Sequence, residues 1–149
     1  MPKKEAKLPP WTVEVDVHLE SDSCPPKFTI ESFLKGDSGR LVFNNSGRPG
    51  FNIVFRLHDG TGKGYRFPSP PRLKDAVWSK IGPDCCPQEG AWEVFDPRRV
   101  FDDGTALTVY NENPCPAQGD FTYTLRVTAD DRDYLELDPG GLNQNGNAL

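Results

Sequence analysis

An alternating segment, residues 51–57, constrains the fold of this chain more than any other feature of its sequence. Phe51, Ile53, Phe55 and Leu57 fall on one side of a predicted strand, because successive side chains point to opposite faces of a β-sheet. Val54 interrupts the polar row, so both faces are partly covered, which is typical of a central strand. Residues 59–62 (Asp-Gly-Thr-Gly) have a composition typical of a turn. Residues 65–67 are predicted to form the strand that pairs with residues 51–57.

Alternation also marks residues 11–20, where an acidic outward row indicates a solvated face, and residues 121–128. The second predicted strand is kinked near Ser32, because Phe33 falls on the wrong face. A break at Asp96-Pro97 separates two short strands. The second strand covers residues 28–34, and the two strands around the break cover 92–95 and 100–101. The other predicted strands are also short: 41–43, a strand around Val77 and Trp78, 106–111 and 134–137.

Short strands joined by turns also explain the 14 glycines and 15 prolines among 149 residues. Long helical runs of Ala, Leu, Glu and Lys are missing from the sequence. The prediction is an all-β fold: a Greek-key sandwich of two antiparallel sheets. It comprises a flexible N-terminal arm (1–10), a single domain (11–138) and a loose Gly- and Asn-rich tail (139–149).

Two segments in the second half of the chain have a distinctive pattern. Residues 100–111, VFDDGTALTVYN, have a turn glycine and an alternating strand ending in Asn, and residues 121–127, FTYTLRV, provide a Phe-x-Tyr strand. These two segments resemble the last strands of cupredoxin-like sandwiches. Similar patterns occur in immunoglobulin-like folds, so the resemblance implies a fold and not a function.

The resemblance raises the question of a type 1 copper site, which needs two His, one Cys and usually an axial Met. The histidines are His18 and His58, and the single methionine is Met1. Only Cys115 falls in the segment 111–121, where the resemblance implies a Cys and a His. The ligand inventory therefore excludes this site, and no cofactor is predicted.

Four cysteines remain: Cys24, Cys85, Cys86 and Cys115. No C-x-x-C pair is present, so zinc is poorly supported. In a cytoplasm these residues are expected to be reduced, whereas in a secreted protein a disulfide such as Cys24–Cys115 becomes plausible. A basic start without an apolar segment after it predicts a cytoplasmic protein, although a trimmed secreted domain would look the same.

The sequence contains no pattern that is typical of an enzyme, a nucleotide-binding protein or a nucleic-acid-binding protein. It contains no G-x-S-x-G elbow, and the glycines of residues 60–64 lack P-loop spacing. The aspartates lack the spacing of a calcium loop. The net charge of −5 disfavours nucleic acid, and no apolar run is long enough to span a membrane. We therefore expect a protein that is not an enzyme.

The sequence predicts a non-enzymatic binding or assembly module, with a protein partner or self-association through sheet edges. The irregular residues 68–90 are the expected contact surface, because long loops on rigid sandwiches commonly carry function. Arg72, Trp78 and Trp92 are the candidate interaction residues. The alternatives are a carbohydrate-binding module built on exposed aromatic rings, and a small thiol- or metal-binding protein that uses the cysteines.

Overall fold

The computed structural model describes residues 10–36, 40–44, 50–82, 87, 91–112, 119–130 and 133–144. Within these ranges the chain forms ten strands and one 3-10 helix, Leu73–Asp75. The strands are β1 (Trp11–Ser21), β2 (Lys27–Ser32), β3 (Leu41–Asn44), β4 (Phe51–Asp59), β5 (Val77–Ile81), β6 (Phe95–Phe101), β7 (Ala106–Asn111), β8 (Gly119–Val127), β9 (Leu135–Leu137) and β10 (Gly140–Gln144).

The strands form two sheets. The first sheet has the order β2-β1-β4-β7-β6; the second has the order β3-β10-β8-β5, with β9 also paired to β8. Most neighbours are antiparallel, but β1 runs parallel to β4 and β3 runs parallel to β10. The prediction of an all-β sandwich is confirmed. The strand that includes residues 51–57 lies at the centre of the first sheet, as its alternation predicted.

The core consists of the inward rows of both sheets, which meet in a cluster of aromatic rings. Phe95 is fully buried, and its ring contacts Tyr123 (4.9 Å between centroids), Phe121 (5.3 Å), Phe43 (5.9 Å) and Phe55 (6.1 Å). These five side chains come from β4 and β6 of the first sheet and from β3 and β8 of the second. Aromatic contacts of this kind stabilise a core beyond the area that they bury.

The predicted strands with clear alternation are confirmed. Val15, Val17 and Leu19 of β1 are buried, and the outward row of β1 is half-buried or exposed. The strand predicted over 28–34 is shorter than expected: β2 ends at Ser32, the position of the predicted kink, and Phe33 then turns outward with 97% of its surface exposed. The strand around Val77 and Trp78 is β5. The segments 106–111 and 134–137 contain β7 and β9, and the segments 41–43 and 121–128 overlap β3 and β8, which extend one and two residues beyond them.

The predicted hairpin after β4 is wrong. The Asp59 carboxylate accepts hydrogen bonds from the Thr61 hydroxyl and from the backbone N–H groups of Thr61, Gly64 and Tyr65, which folds the loop onto itself. Both edges of β4 are already paired, with β1 and β7. Residues 65–67 therefore cross to the second sheet, where Arg66 bridges to Thr128.

The contacts of this loop shift the pKa values of three ionisable groups. Burial raises the pKa of Asp59, but the hydrogen bonds that it accepts outweigh burial and leave this pKa below its ordinary value. The Tyr65 hydroxyl donates to Asp22 (2.8 Å). Burial and the Asp22 carboxylate raise the pKa of Tyr65 to about 12. Hydrogen bonds from Lys63 and Tyr65 lower the pKa of Asp22.

Two further predictions need correction. Residues 95–101 form one strand, β6, and a bulge between Pro97 and Arg99 accommodates the proline at the sheet edge. Trp92 forms only an isolated bridge, with Ser79. The segment predicted as a loose tail, 139–149, contains β10, which pairs with both β3 and β8. Backbone hydrogen bonds form this strand, so its Gly- and Asn-rich composition did not indicate it.

The predicted N-terminal arm lies outside the described residues, apart from Pro10. Among the described residues, no helix has the length and apolar character needed to cross a membrane.

Candidate functional site

The edges of the two sheets are potential assembly surfaces, because unpaired edge strands can pair with another chain. At β3, the chain that follows β2 lies alongside: the N–H of Val42 donates to the carbonyl of Leu34 (2.9 Å), and the N–H of Gly36 donates to that of Arg40 (2.8 Å). This edge is therefore covered by the chain itself.

β5 is covered in a similar way. The N–H of Ser79 donates to the carbonyl of Ala91 (2.8 Å), and the N–H of Glu93 donates to the carbonyl of Ser79 (3.0 Å). The buried Ser79 hydroxyl oxygen then accepts from the backbone N–H groups of Val94 and Phe95, at 3.1 and 2.8 Å. These bonds attach the edge of the second sheet to the start of β6 in the first sheet.

The other edge strands differ in whether they can pair with a strand of another chain. β6 carries Pro97 and a bulge, and both features disfavour pairing with another strand. β9 is only three residues long. β2 has β1 on one side, and on its other side no strand from the described ranges is paired with it. Lys27, Thr29 and Glu31 of β2 are all exposed. β2 is therefore the candidate site for assembly.

The predicted interaction residues occupy different environments. Trp78 is only 8% exposed, so it offers little area to a partner. Arg72 is exposed beside a shallow cavity of about 250 Å³ that Tyr134 and residues 68–71 also line. Trp92 is 38% exposed, and its indole N–H donates to the carbonyl of Lys74 (2.9 Å). Arg72 and Trp92 therefore lie at the surface, whereas Trp78 does not.

Trp78 belongs to a cluster that the sequence did not reveal. The Arg126 guanidinium lies 3.9 Å from the centre of the Trp78 ring and 4.0 Å from that of Tyr134. The carboxylates of Asp75 and Glu136 are within 3.9 and 3.7 Å of Arg126. An arginine between two rings and two carboxylates stabilises the segments that it joins. Arg126 occupies an ordinary outward position in β8, and only the pairing of β8 with β5 and β9 explains the cluster.

His18 and His58 form a second unexpected pair. They lie directly opposite each other on the parallel strands β1 and β4. Their rings stack with centroids 4.6 Å apart, and the Asp16 carboxylate is 2.8 Å from Nε2 of His58. His18 is partly exposed and His58 is largely exposed. A visible signal exists in the sequence, since aligning the two strands in parallel places the histidines at the same position.

Five aromatic rings that a carbohydrate-binding module could use are engaged in separate contacts. Tyr65 donates to Asp22, the Arg98 guanidinium lies 5.2 Å from the Tyr110 ring centre, and Trp92 contacts Lys74. Trp78 and Tyr134 enclose Arg126. A carbohydrate platform needs exposed coplanar rings, and the described residues do not place these rings on one such surface.

Cys24 is exposed with a free thiol. Cys85, Cys86 and Cys115 lie outside the described residues, so their pairing and any metal-binding role stay predictions. Within the described ranges, no three His, Cys, Asp or Glu side chains come together in a way that could hold a metal ion.

Comparison with known proteins adds no further assignment: no protein family model matches this sequence, and no curated protein matches it. The functional proposal therefore rests on the geometry of the described residues.

Proposed function

We propose that this protein is a non-enzymatic binding or assembly module that associates with a second copy of itself through the outer edge of β2, with which no described strand is paired. The observation that supports this proposal most is the charge pattern of that edge. Lys27 and Glu31 lie symmetrically about Thr29, and all three are exposed. In an antiparallel pair of two β2 strands centred on Thr29, Lys27 of each copy lies opposite Glu31 of the other.

Such an arrangement has two-fold symmetry, the commonest symmetry of soluble oligomers. The same register places Phe28 of each copy opposite Ile30 of the other, so the apolar row continues across the junction. Within one chain, Glu31 has a competing partner in Lys35, but that ion pair is 3.5 Å long and its Glu31 side chain is 62% exposed. An exposed pair of this kind contributes little, so Glu31 can face a second copy at small cost.

The expected association is weak, because a six-residue edge strand buries less area than a standard protein interface. An opposite-charge cross-strand pair contributes about 0.2–1 kcal/mol, and a like-charge pair is unfavourable. We take the penalty of a like-charge pair to be of similar size. Reversing one charge in every copy then alters two cross-strand pairs and makes the free energy of association less favourable by roughly 1–4 kcal/mol in total. That change weakens association about five-fold to nearly a thousand-fold.

A charge-swap series tests the proposal by analytical ultracentrifugation over a range of concentrations. We expect the unmodified protein to dimerise reversibly. Lys27→Glu is expected to weaken the dimer, since the new carboxylate then faces Glu31 of the other copy. The double variant Lys27→Glu/Glu31→Lys restores both opposite-charge pairs and is expected to recover dimerisation.

Lys80→Glu is the matched control, because it makes the same charge change on β5, whose edge is covered. It is expected to leave the dimer unaffected. A monomeric protein at every concentration would refute the proposal. So would a dimer that responds equally to Lys27→Glu and Lys80→Glu, because net charge alone would then account for the response.

The finer classification of the fold is also a proposal. The patterns of residues 100–111 and 121–127 support a cupredoxin-like or immunoglobulin-like sandwich, and they fall in β6, β7 and β8 of the two sheets. The free thiol of Cys24 is consistent with a cytoplasmic location. A thiol titration before and after denaturation, with metal analysis, tests the thiol- or metal-binding alternative, and a glycan array tests carbohydrate binding.

A further inference from the structure

A cleft opens where the beginnings of β1 and β4 approach β3 and the turn after β2. Its volume is about 560 Å³, which lies within the range of small-molecule sites in proteins. The described residues that line it include Trp11, Phe33, Lys35, Val42 and Phe51.

The walls of the cleft are mainly apolar and include three aromatic side chains. Phe51 is buried at 2% exposure, whereas Phe33 is 97% exposed. Single exposed apolar side chains are common on protein surfaces, but a fully exposed phenylalanine beside an apolar concavity marks a place where a ligand can bury additional apolar surface. These walls suit a compact aromatic or branched apolar body.

Lys35 is the one charged side chain among the described residues that line the cleft. Among the described residues, Lys35 forms an ion pair with the Glu31 carboxylate at 3.5 Å, and the Lys35 side chain is 35% exposed. Because that exposed pair is weak, the ammonium group can interact with an incoming anion. A cation next to apolar walls favours a ligand with an apolar body and one negative charge.

We propose that this cleft binds a compact amphipathic anion, with an aromatic or branched apolar body against Trp11, Phe33 and Phe51 and a carboxylate or sulfonate near Lys35. This inference does not depend on self-association through β2, and it can be tested at concentrations below those that favour a dimer.

Fluorescence titration with 8-anilinonaphthalene-1-sulfonate provides the test, because this probe joins an aromatic body to one anionic group. We expect saturable binding of one probe per chain. Phe33→Ala removes an exposed wall and is expected to weaken binding roughly three- to thirty-fold, as follows from partial loss of one side chain's buried area. Lys35→Gln is expected to weaken it about two- to five-fold, in line with an exposed ion pair.

Two controls separate this site from non-specific binding. Lys80→Gln removes a cation from β5, which lies at the opposite edge of the second sheet from β3, and is expected to leave the affinity unchanged. The neutral probe N-phenyl-1-naphthylamine is expected to bind the Lys35→Gln variant as well as it binds the unmodified protein. Phe33 is almost fully exposed, so its substitution leaves the fold intact, and thermal melting verifies this.

The inference is overturned if the anionic probe does not bind saturably. It is also overturned if Phe33→Ala and Lys35→Gln both bind the probe with the affinity of the unmodified protein. Competition between the probe and small aromatic carboxylates, followed by the same loss in the two variants, would extend the assignment from the probe to this class of ligand.

Discussion

Substitution of Phe95 tests the aromatic core that joins the two sheets. Phe95 is fully buried and has four aromatic neighbours with ring centroids 4.9–6.1 Å away. Phe95→Ala removes a large buried side chain and leaves a cavity, which costs about 3–5 kcal/mol in comparable cores. Since a domain is usually stable by about 5–15 kcal/mol, this single change removes a large fraction of the free energy of unfolding.

The chain contains its own matched control. Phe33→Ala makes the same chemical change at a side chain that is 97% exposed, and we expect a change within about 0.5 kcal/mol. Urea denaturation of both variants measures the difference, and thermal melting is expected to show a decrease of roughly 6–20 °C for Phe95→Ala. A loss below about 1 kcal/mol for Phe95→Ala, or equal losses for the two variants, would refute the position assigned to Phe95.

Three further predictions address particular hydrogen bonds and ionisable groups. Ser79→Ala leaves two buried backbone N–H groups without their acceptor, so urea denaturation should show a loss of about 1–3 kcal/mol; an unchanged midpoint would contradict this. Because the folded pKa of Asp59 lies below its ordinary value of 3.8, its stabilising effect is present above that pH and is lost as the pH falls through the lower folded value. Asp59→Asn should therefore lose less stability than the unmodified protein in acid denaturation, and identical acid profiles would count against the loop geometry. Tyr65→Phe should remove a phenol that ionises at about 12 in a near-ultraviolet absorbance titration, whereas loss of a phenol with the ordinary pKa of 10.0 would show that Tyr65 is not held by Asp22.

Local periodicity was sufficient to predict much of the sandwich. The inward rows of β1, β4 and β8 are set by alternation within each segment, and a strand of this kind is recognisable without knowledge of its neighbours. The path after β4 was not recognisable, because the Asp59 carboxylate binds backbone N–H groups of its own loop. β10 was missed because its pairing with β3 and β8 depends on backbone groups far apart in the sequence.

The candidate sites were predicted less well than the strands, for a physical reason. Whether a strand lies at an edge depends on the order of the strands in the sheet and not on the sequence of one segment. The alternation of β2 was visible in the sequence, but its edge position is known only because β1 is its single strand neighbour among the described residues. The same holds for the stacked His18 and His58, which meet because β1 and β4 are parallel neighbours. Trp78 was proposed as a contact residue, and its burial under Arg126 required knowledge of β5 and β8 together.

The most direct test of assembly through β2 is to mix two single-charge variants that each oppose their own association. In Lys27→Glu every copy presents two negative charges at this edge, and in Glu31→Lys every copy presents two positive charges. When the two variants are mixed, antiparallel pairing centred on Thr29 places a negative charge opposite a positive charge at both positions. We predict that each variant alone sediments predominantly as a monomer and that an equimolar mixture forms a one-to-one heterodimer. A mixture that associates no more than the separate variants would contradict the proposed pairing.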